Sequence, residues 1–174
     1  MKKGILILAL VLAVTVIFAF PKGTFNPGGT ISFSSYKVNS DADPVNMLTI
    51  APQAGLFVMD NLCVDGLISY QTDTEDWNHI GLGIGGRYFF GNIYAGLGLM
   101  YGMDNNDDYS ATQMSADLKA GYLLQIARNA YLDVGAKYNM GFGEFGGDAS
   151  GDNEQSRLTV GAGFQIFYPT TLFK

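Results

Sequence analysis

RLTVGAGFQIFY, residues 157–168, is the stretch whose reading decides the fold. Leu158, Val160, Ala162, Phe164, Ile166 and Tyr168 fall on one face of an extended chain, and Thr159, Gly161, Gly163, Gln165 and Phe167 on the other. A period of two sustained this far predicts a β-strand, because successive side chains on a pleated backbone point to opposite sides. The run is longer than the usual strand of roughly five or six residues and matches the reach of a tilted bilayer-crossing strand. One face is apolar throughout and ends on an aromatic, while the other is small or polar. Lipid on one side and a narrow, packed lumen on the other would require that division.

The same alternation recurs upstream. After a lead-in at 21–27, it predicts strands at 29–36, 47–58, 62–71, 79–90, 93–102, 113–126 and 130–141. Tight turns at Met59-Asp60-Asn61, Gly91-Asn92 and Ala127-Arg128-Asn129 alternate with longer connections at 37–46, 72–78, 103–112 and 142–156. An even strand number, short turns at one end and longer loops at the other predict an all-β fold, an eight-stranded antiparallel up-and-down transmembrane β-barrel.

The 174 residues suit one domain, low in charge at 15% and rich in glycine at 23 residues. Residues 1–19 read as a cleaved signal peptide, with Lys2 and Lys3 ahead of an apolar run at 4–18 and the small Ala19 before the cut. That leaves 20–174 as the barrel domain and the outer membrane as the expected location. Ile17 is bulkier than usual for its place before the cut, but a single transmembrane helix would need a longer apolar run. Beyond residue 20 no apolar run is long enough for a spanning helix, so any membrane must be crossed by a closed sheet. Losing two lysines takes the net charge from −6 to −8, which disfavours nucleic acid as a partner. Cys63 is the only cysteine, so neither a disulfide framework nor a lipid-anchoring cysteine after the apolar run is expected.

Parity sorts the charges. Ile80, Leu82, Ile84, Leu97, Leu99 and Leu118 share the outward face with no charge among them, whereas Asp65, Arg87, Asp117, Lys119, Asp133 and Lys137 all take the opposite parity. Three acids and three bases predict a paired lumen network, with Asp65 and Arg87 able to meet across adjacent strands. Their expected role is to fill and register the interior. Glycines such as Gly81, Gly83, Gly96, Gly98, Gly161 and Gly163 share that parity and leave room for Arg87, Phe57, Phe89 and Phe167 in a lumen barely wide enough for side chains. The run 81–86 formally fits GxGxxG, but a nucleotide site needs a strand–turn–helix context that is missing here. Aromatics gather near strand ends and predict two girdles. Tyr36, Tyr70, Trp77, Tyr101 and Tyr138 stand toward the loops; Phe57, Tyr88, Phe90, Tyr94, Tyr131 and Tyr168 stand toward the turns.

With strands, turns and signal in place, nearly all of the mature chain resembles the small eight-stranded outer-membrane barrels, the OmpX-like and OmpA-transmembrane-domain class. In the closing strand, Gly163, Ile166 and Tyr168 are similar to the C-terminal signal that the barrel-assembly machinery reads in that class. The resemblance implies that machinery and outer-membrane lipid as partners. Family members end on the aromatic, whereas here residues 169–174 follow, so Tyr168 and Phe173 compete for the role.

Twelve of the sixteen acidic residues fall in the four longer connections. A repulsive, solvated surface is expected, with a surface ligand or divalent cations as alternatives. Asp104, Asp107 and Asp108, and Asp148, Asp152 and Glu154, are the densest carboxylate groups, but neither has EF-hand spacing. His79, the only histidine, lies near Ser69 and Asp76, yet Gly81 stands where a deacylase-type His-x-Ser would place its serine. A structural or surface-interaction protein without enzymatic activity or cofactor is therefore expected. A porin-like narrow conduit, a lipid-modifying enzyme and a soluble lipocalin-like barrel are the alternatives.

Overall fold

In a computed structural model, which describes residues 20–36, 45–73, 78–106, 109–147 and 156–169, eight strands run antiparallel round a closed barrel. They are β1 (Thr24–Tyr36), β2 (Val45–Met59), β3 (Leu62–Asp73), β4 (Asn78–Phe90), β5 (Ile93–Asn106), β6 (Tyr109–Ala127), β7 (Ala130–Gly147) and β8 (Ser156–Ile166). Each pairs with the next, and β8 returns to β1 with Gln165 opposite Gly28 and Ala162 opposite Ile31. The expected eight-stranded up-and-down barrel is borne out.

Closure depends on local details of the seam. β8 breaks at Phe167, and Tyr168–Pro169 then resumes the ladder opposite Phe25 and Thr24. Two backbone groups at the break find partners outside the ladder: Asn26 Nδ2 donates to the Ile166 carbonyl at 3.1 Å, and the Phe167 N–H donates to the Asn129 carbonyl at 2.9 Å. A Cβ on Gly163 would fall onto the Gly29 carbonyl oxygen and within 2.8 Å of Thr30 Cγ2. Glycine is needed there for β1 and β8 to approach, and closing the sheet removes its exposed edges.

The strands overrun the expected boundaries. β1 starts at Thr24, absorbing much of the lead-in, and β5, β6 and β7 reach far into the expected loops. Asp104 pairs with Ala111 and Asn105 with Ser110. Apolar alternation marks only the part of a strand with two contrasting faces, whereas the ladder uses backbone groups and continues into polar sequence. Asp104 is therefore a strand residue and not a loop carboxylate. The expected signal peptide at 1–19, the loop acids Asp107, Asp108, Asp148, Asp152 and Glu154, and Phe173 lie outside the described residues.

All three tight turns end in asparagine. Asn61 adopts a left-handed φ of 63°, and Gly91 one of 66°, the conformation two-residue hairpins favour. The carbonyls of Asn61, Asn92 and Asn129 accept hydrogen bonds from the backbone N–H of Phe89, Leu123 and Phe167 at 2.9, 2.7 and 2.9 Å. Each turn is thereby tied to a strand beyond its own hairpin, at a residue whose side chain enters the lumen.

Packing is inverted relative to a water-soluble barrel. Ile84, Leu97, Val160 and Phe164 stand more than half exposed, while Asp65, Arg87, Asp117 and Asp133 are at most 3% exposed. Monomeric soluble proteins rarely leave so extensive an apolar surface to water, and a soluble lipocalin-like barrel would have the faces reversed. Leu97, 65% exposed in mid-β5, reports on the medium around the belt. Leu97→Arg is expected to cost about 2–4 kcal/mol in a bilayer, where a midplane arginine is unsolvated. Urea unfolding in lipid vesicles measures it.

Candidate functional site

The lumen holds the chain's buried chemistry, stacked in levels from the turn end to the loop end. At the turn end, Phe57, Phe89, Tyr94, Leu123, Tyr131 and Phe167 form one buried cluster with Cys63 and Phe20. Phe20 precedes β1 and inserts its ring among the others, stacked on Phe167 at 4.2 Å and edge-on to Phe89 at 5.2 Å. Its backbone is clamped on both sides, with its N–H donating to Asn61 Oδ1 and its carbonyl accepting from the Asn61 N–H, both at 2.9 Å. Phe57, Tyr94 and Tyr131 are therefore not girdle residues, because their parity turns them inward. The turn-side girdle is carried by Tyr88, Phe90 and Tyr168, with Phe25 beside them on β1. Sequence alternation stops at the strand ends, so nothing in it signalled that Phe20 folds back into the barrel.

Above the rings lies Arg87, with every nitrogen engaged. Nε donates to Asp65 Oδ2 at 2.6 Å, and Nη2 to Asp65 Oδ1 at 2.7 Å and Asn26 Oδ1 at 2.6 Å. Nη1 reaches Gln165 Oε1 at 2.9 Å. Gln165 in turn donates to Asp133 Oδ2, and the Tyr94 hydroxyl donates to Asp133 at 3.0 Å. Cys63 Sγ donates to Asp65 Oδ1 at 3.2 Å, leaving the thiol buried as a filler. The guanidinium also sits 5.2 Å from the Phe89 ring centre, joining the two levels by a cation–π contact. Asp65 and Arg87 are diagonal across the β3–β4 ladder, where Asp65 faces Gly85 and Arg87 faces Cys63. Parity gathered the charged members, but Asn26 and Gln165, which complete the network from the seam, carry no charge to mark them.

The third level belongs to β6 and β7. Asn139 Nδ2 donates to Asp117 Oδ1 and to Ser115 Oγ, both at 2.8 Å. Lys119 and Lys137, direct neighbours in the ladder, approach Asp117 Oδ2 only to 3.9 and 4.0 Å.

At the loop end His79 faces Asp104 across β4 and β5. His79 Nδ1 and Asp104 Oδ1 lie 2.7 Å apart, and Gln113 Nε2 donates to Asp104 Oδ2 at 2.7 Å. Ser69 Oγ and His79 Nε2 both border the space over Gly81. A carboxylate, an imidazole and a hydroxyl are the parts of a nucleophilic triad. Here, however, Ser69 is 1% exposed and its hydroxyl has no hydrogen-bond partner among the described residues. Ser69 and His79 are thus both enclosed in the lumen at this level. Among the described residues no group of three or more His, Cys, Asp or Glu side chains is placed to hold a metal ion.

No protein-family model and no curated protein matches the chain. Among solved structures, the crystal structure of Neisserial surface protein A is similar at a TM-score of 0.58 and 16% identity, covering 86% of this chain and 98% of that one. A de novo designed transmembrane β-barrel is similar at a TM-score of 0.50 and 15% identity, covering 86% of this chain and all of the design. At such identities the likeness concerns the fold, which is that of a transmembrane β-barrel.

Proposed function

We propose that the protein is an outer-membrane barrel of structural or surface-interaction type, reached through a cleaved signal, with a non-conducting lumen and no catalytic role. The observation that carries this reading is the filling of the barrel at two successive levels, by aromatic rings at the turn end and by the Arg87 network above them. A solute passing along the axis would have to break a bidentate ion pair and displace packed rings together. With the lumen so occupied, the parts left to meet a partner are the external connections, where most of the acidic residues lie. One similar structure is named a surface protein, and the same placement is proposed here, with outer-membrane lipid and the barrel-assembly machinery as partners.

Planar-bilayer recording of the refolded protein tests the non-conducting reading against the porin-like alternative. The expected record shows no conductance steps above the bare membrane. Reproducible steps that scale with protein inserted would overturn the reading.

A further inference from the structure

The levels around Arg87 and around Lys119 and Lys137 differ in how completely they are satisfied, and the difference points to a ligand. Around Arg87 every nitrogen has a protein acceptor, and four of the five N–H groups are used. Around Lys119 and Lys137 the situation is reversed. Each ammonium carries three donors, and among the described residues neither makes a hydrogen bond. Their one ionic partner is Asp117 Oδ2, at 3.9 and 4.0 Å, beyond hydrogen-bond reach. That oxygen is itself buried without a hydrogen-bond partner among the described residues. Asp117 cannot swing toward the lysines without losing Asn139, which holds its other oxygen at 2.8 Å.

Charge and access agree with this picture. Two lysines directly opposite each other in a ladder repel, and one carboxylate leaves the trio with a net charge of +1. The lysine side chains remain 13% and 30% exposed while Asp117 is fully covered, so the lysines are the more accessible part of the trio. Space remains beside the lysines on β8, where an added Cβ on Gly161 would have only Ser32 Cβ, at 3.5 Å, and a backbone oxygen within 4 Å.

We infer that Lys119 and Lys137 form a binding site for a small oxyanion of phosphate or sulfate size, held inside the lumen above the Arg87 network. The anion would accept hydrogen bonds from both ammonium groups and neutralise the excess positive charge, while Asp117 limits the affinity by competing for the same donors. The site is independent of what the external loops bind, because every residue in it lies within the β6–β7 ladder.

The test is calorimetric titration of inorganic phosphate into the refolded protein in detergent, at constant ionic strength with chloride as the balancing anion. Saturable one-site binding is expected for the native chain. In the Lys119→Met/Lys137→Met double variant, affinity should fall at least about tenfold, the equivalent of ~1.4 kcal/mol. Asp117→Asn keeps an oxygen for Asn139 and removes the competing charge, so it should bind phosphate several-fold tighter than the native chain. The opposite directions of the two changes separate a site from general destabilisation. Absence of saturable binding in the native chain, or equal affinity in all three folded proteins, would overturn the inference.

Discussion

Arg87→Met is expected to destabilise the folded barrel by about 3–5 kcal/mol, the cost of breaking a buried ion pair by removing one partner. Methionine resembles arginine in length and apolar bulk, so the loss is electrostatic more than steric. Without the guanidinium, Asp65 loses both of its short charge-assisted bonds, and Asn26 and Gln165 lose their shared donor. The carboxylate is 2% exposed and keeps only the weak bond from the Cys63 thiol. Adding Asp65→Leu to Arg87→Met should restore part of the stability, since a matched apolar pair no longer buries an unpaired charge. Urea midpoints followed by the folded band on unheated gels provide the measurement. A single variant within about 1 kcal/mol of the native chain, or a double variant less stable than the single, would contradict the network as described.

Phe89→Ala is expected to cost a similar amount, about 3–5 kcal/mol, through lost transfer energy and the cavity left behind. Phe89 is 1% exposed at the centre of the cluster and contacts Phe20, Phe57, Tyr94 and Phe167. Its ring lies in a closed barrel whose ladder cannot collapse inward, so the void stays open. Phe20→Ala removes a ring of the same size from a residue ahead of the first strand that is 6% exposed rather than 1%, so part of the void it leaves opens to solvent. It should therefore cost clearly less than Phe89→Ala in the same unfolding assay. Equal losses would mean that its void is as closed as the one left by Phe89.

Most of the fold was legible because each strand has two physically different faces. The outward row Ile80, Leu82 and Ile84, set against Gly81, Gly83 and Gly85, is enough to fix both strand type and orientation. The same parity gathered Asp65, Arg87, Asp117, Lys119, Asp133 and Lys137 into one interior. It failed where the contrast between faces ends. The β5–β6 hairpin runs on through Asp104 and Asn105, because backbone pairing is indifferent to side-chain polarity. Phe57, Tyr94 and Tyr131 looked like interfacial aromatics by position along the strand, yet parity was the stronger guide and turned them inward.

The connections between levels were not legible at all. Asn26, Gln165 and Phe20 reach partners 61, 78 and 41 positions away, distances that only barrel closure brings together. The turn asparagines are similar: Gly91-Asn92 reads as a hairpin signal, but nothing local announces that the Asn92 carbonyl receives the Leu123 N–H. Charge balance over all six lumen residues likewise concealed an unequal distribution, with a saturated level at Arg87 and an unsaturated one at Lys119 and Lys137.

The central claim is that a closed barrel spans a membrane with its apolar face toward lipid. It is tested most directly by separating the cell envelope and running the outer-membrane fraction on a denaturing gel with and without boiling. The protein should be found in that fraction, and its unboiled band should migrate differently from the boiled one, because a closed ladder resists detergent until heated. Recovery from the soluble periplasm with one mobility in both lanes would contradict it.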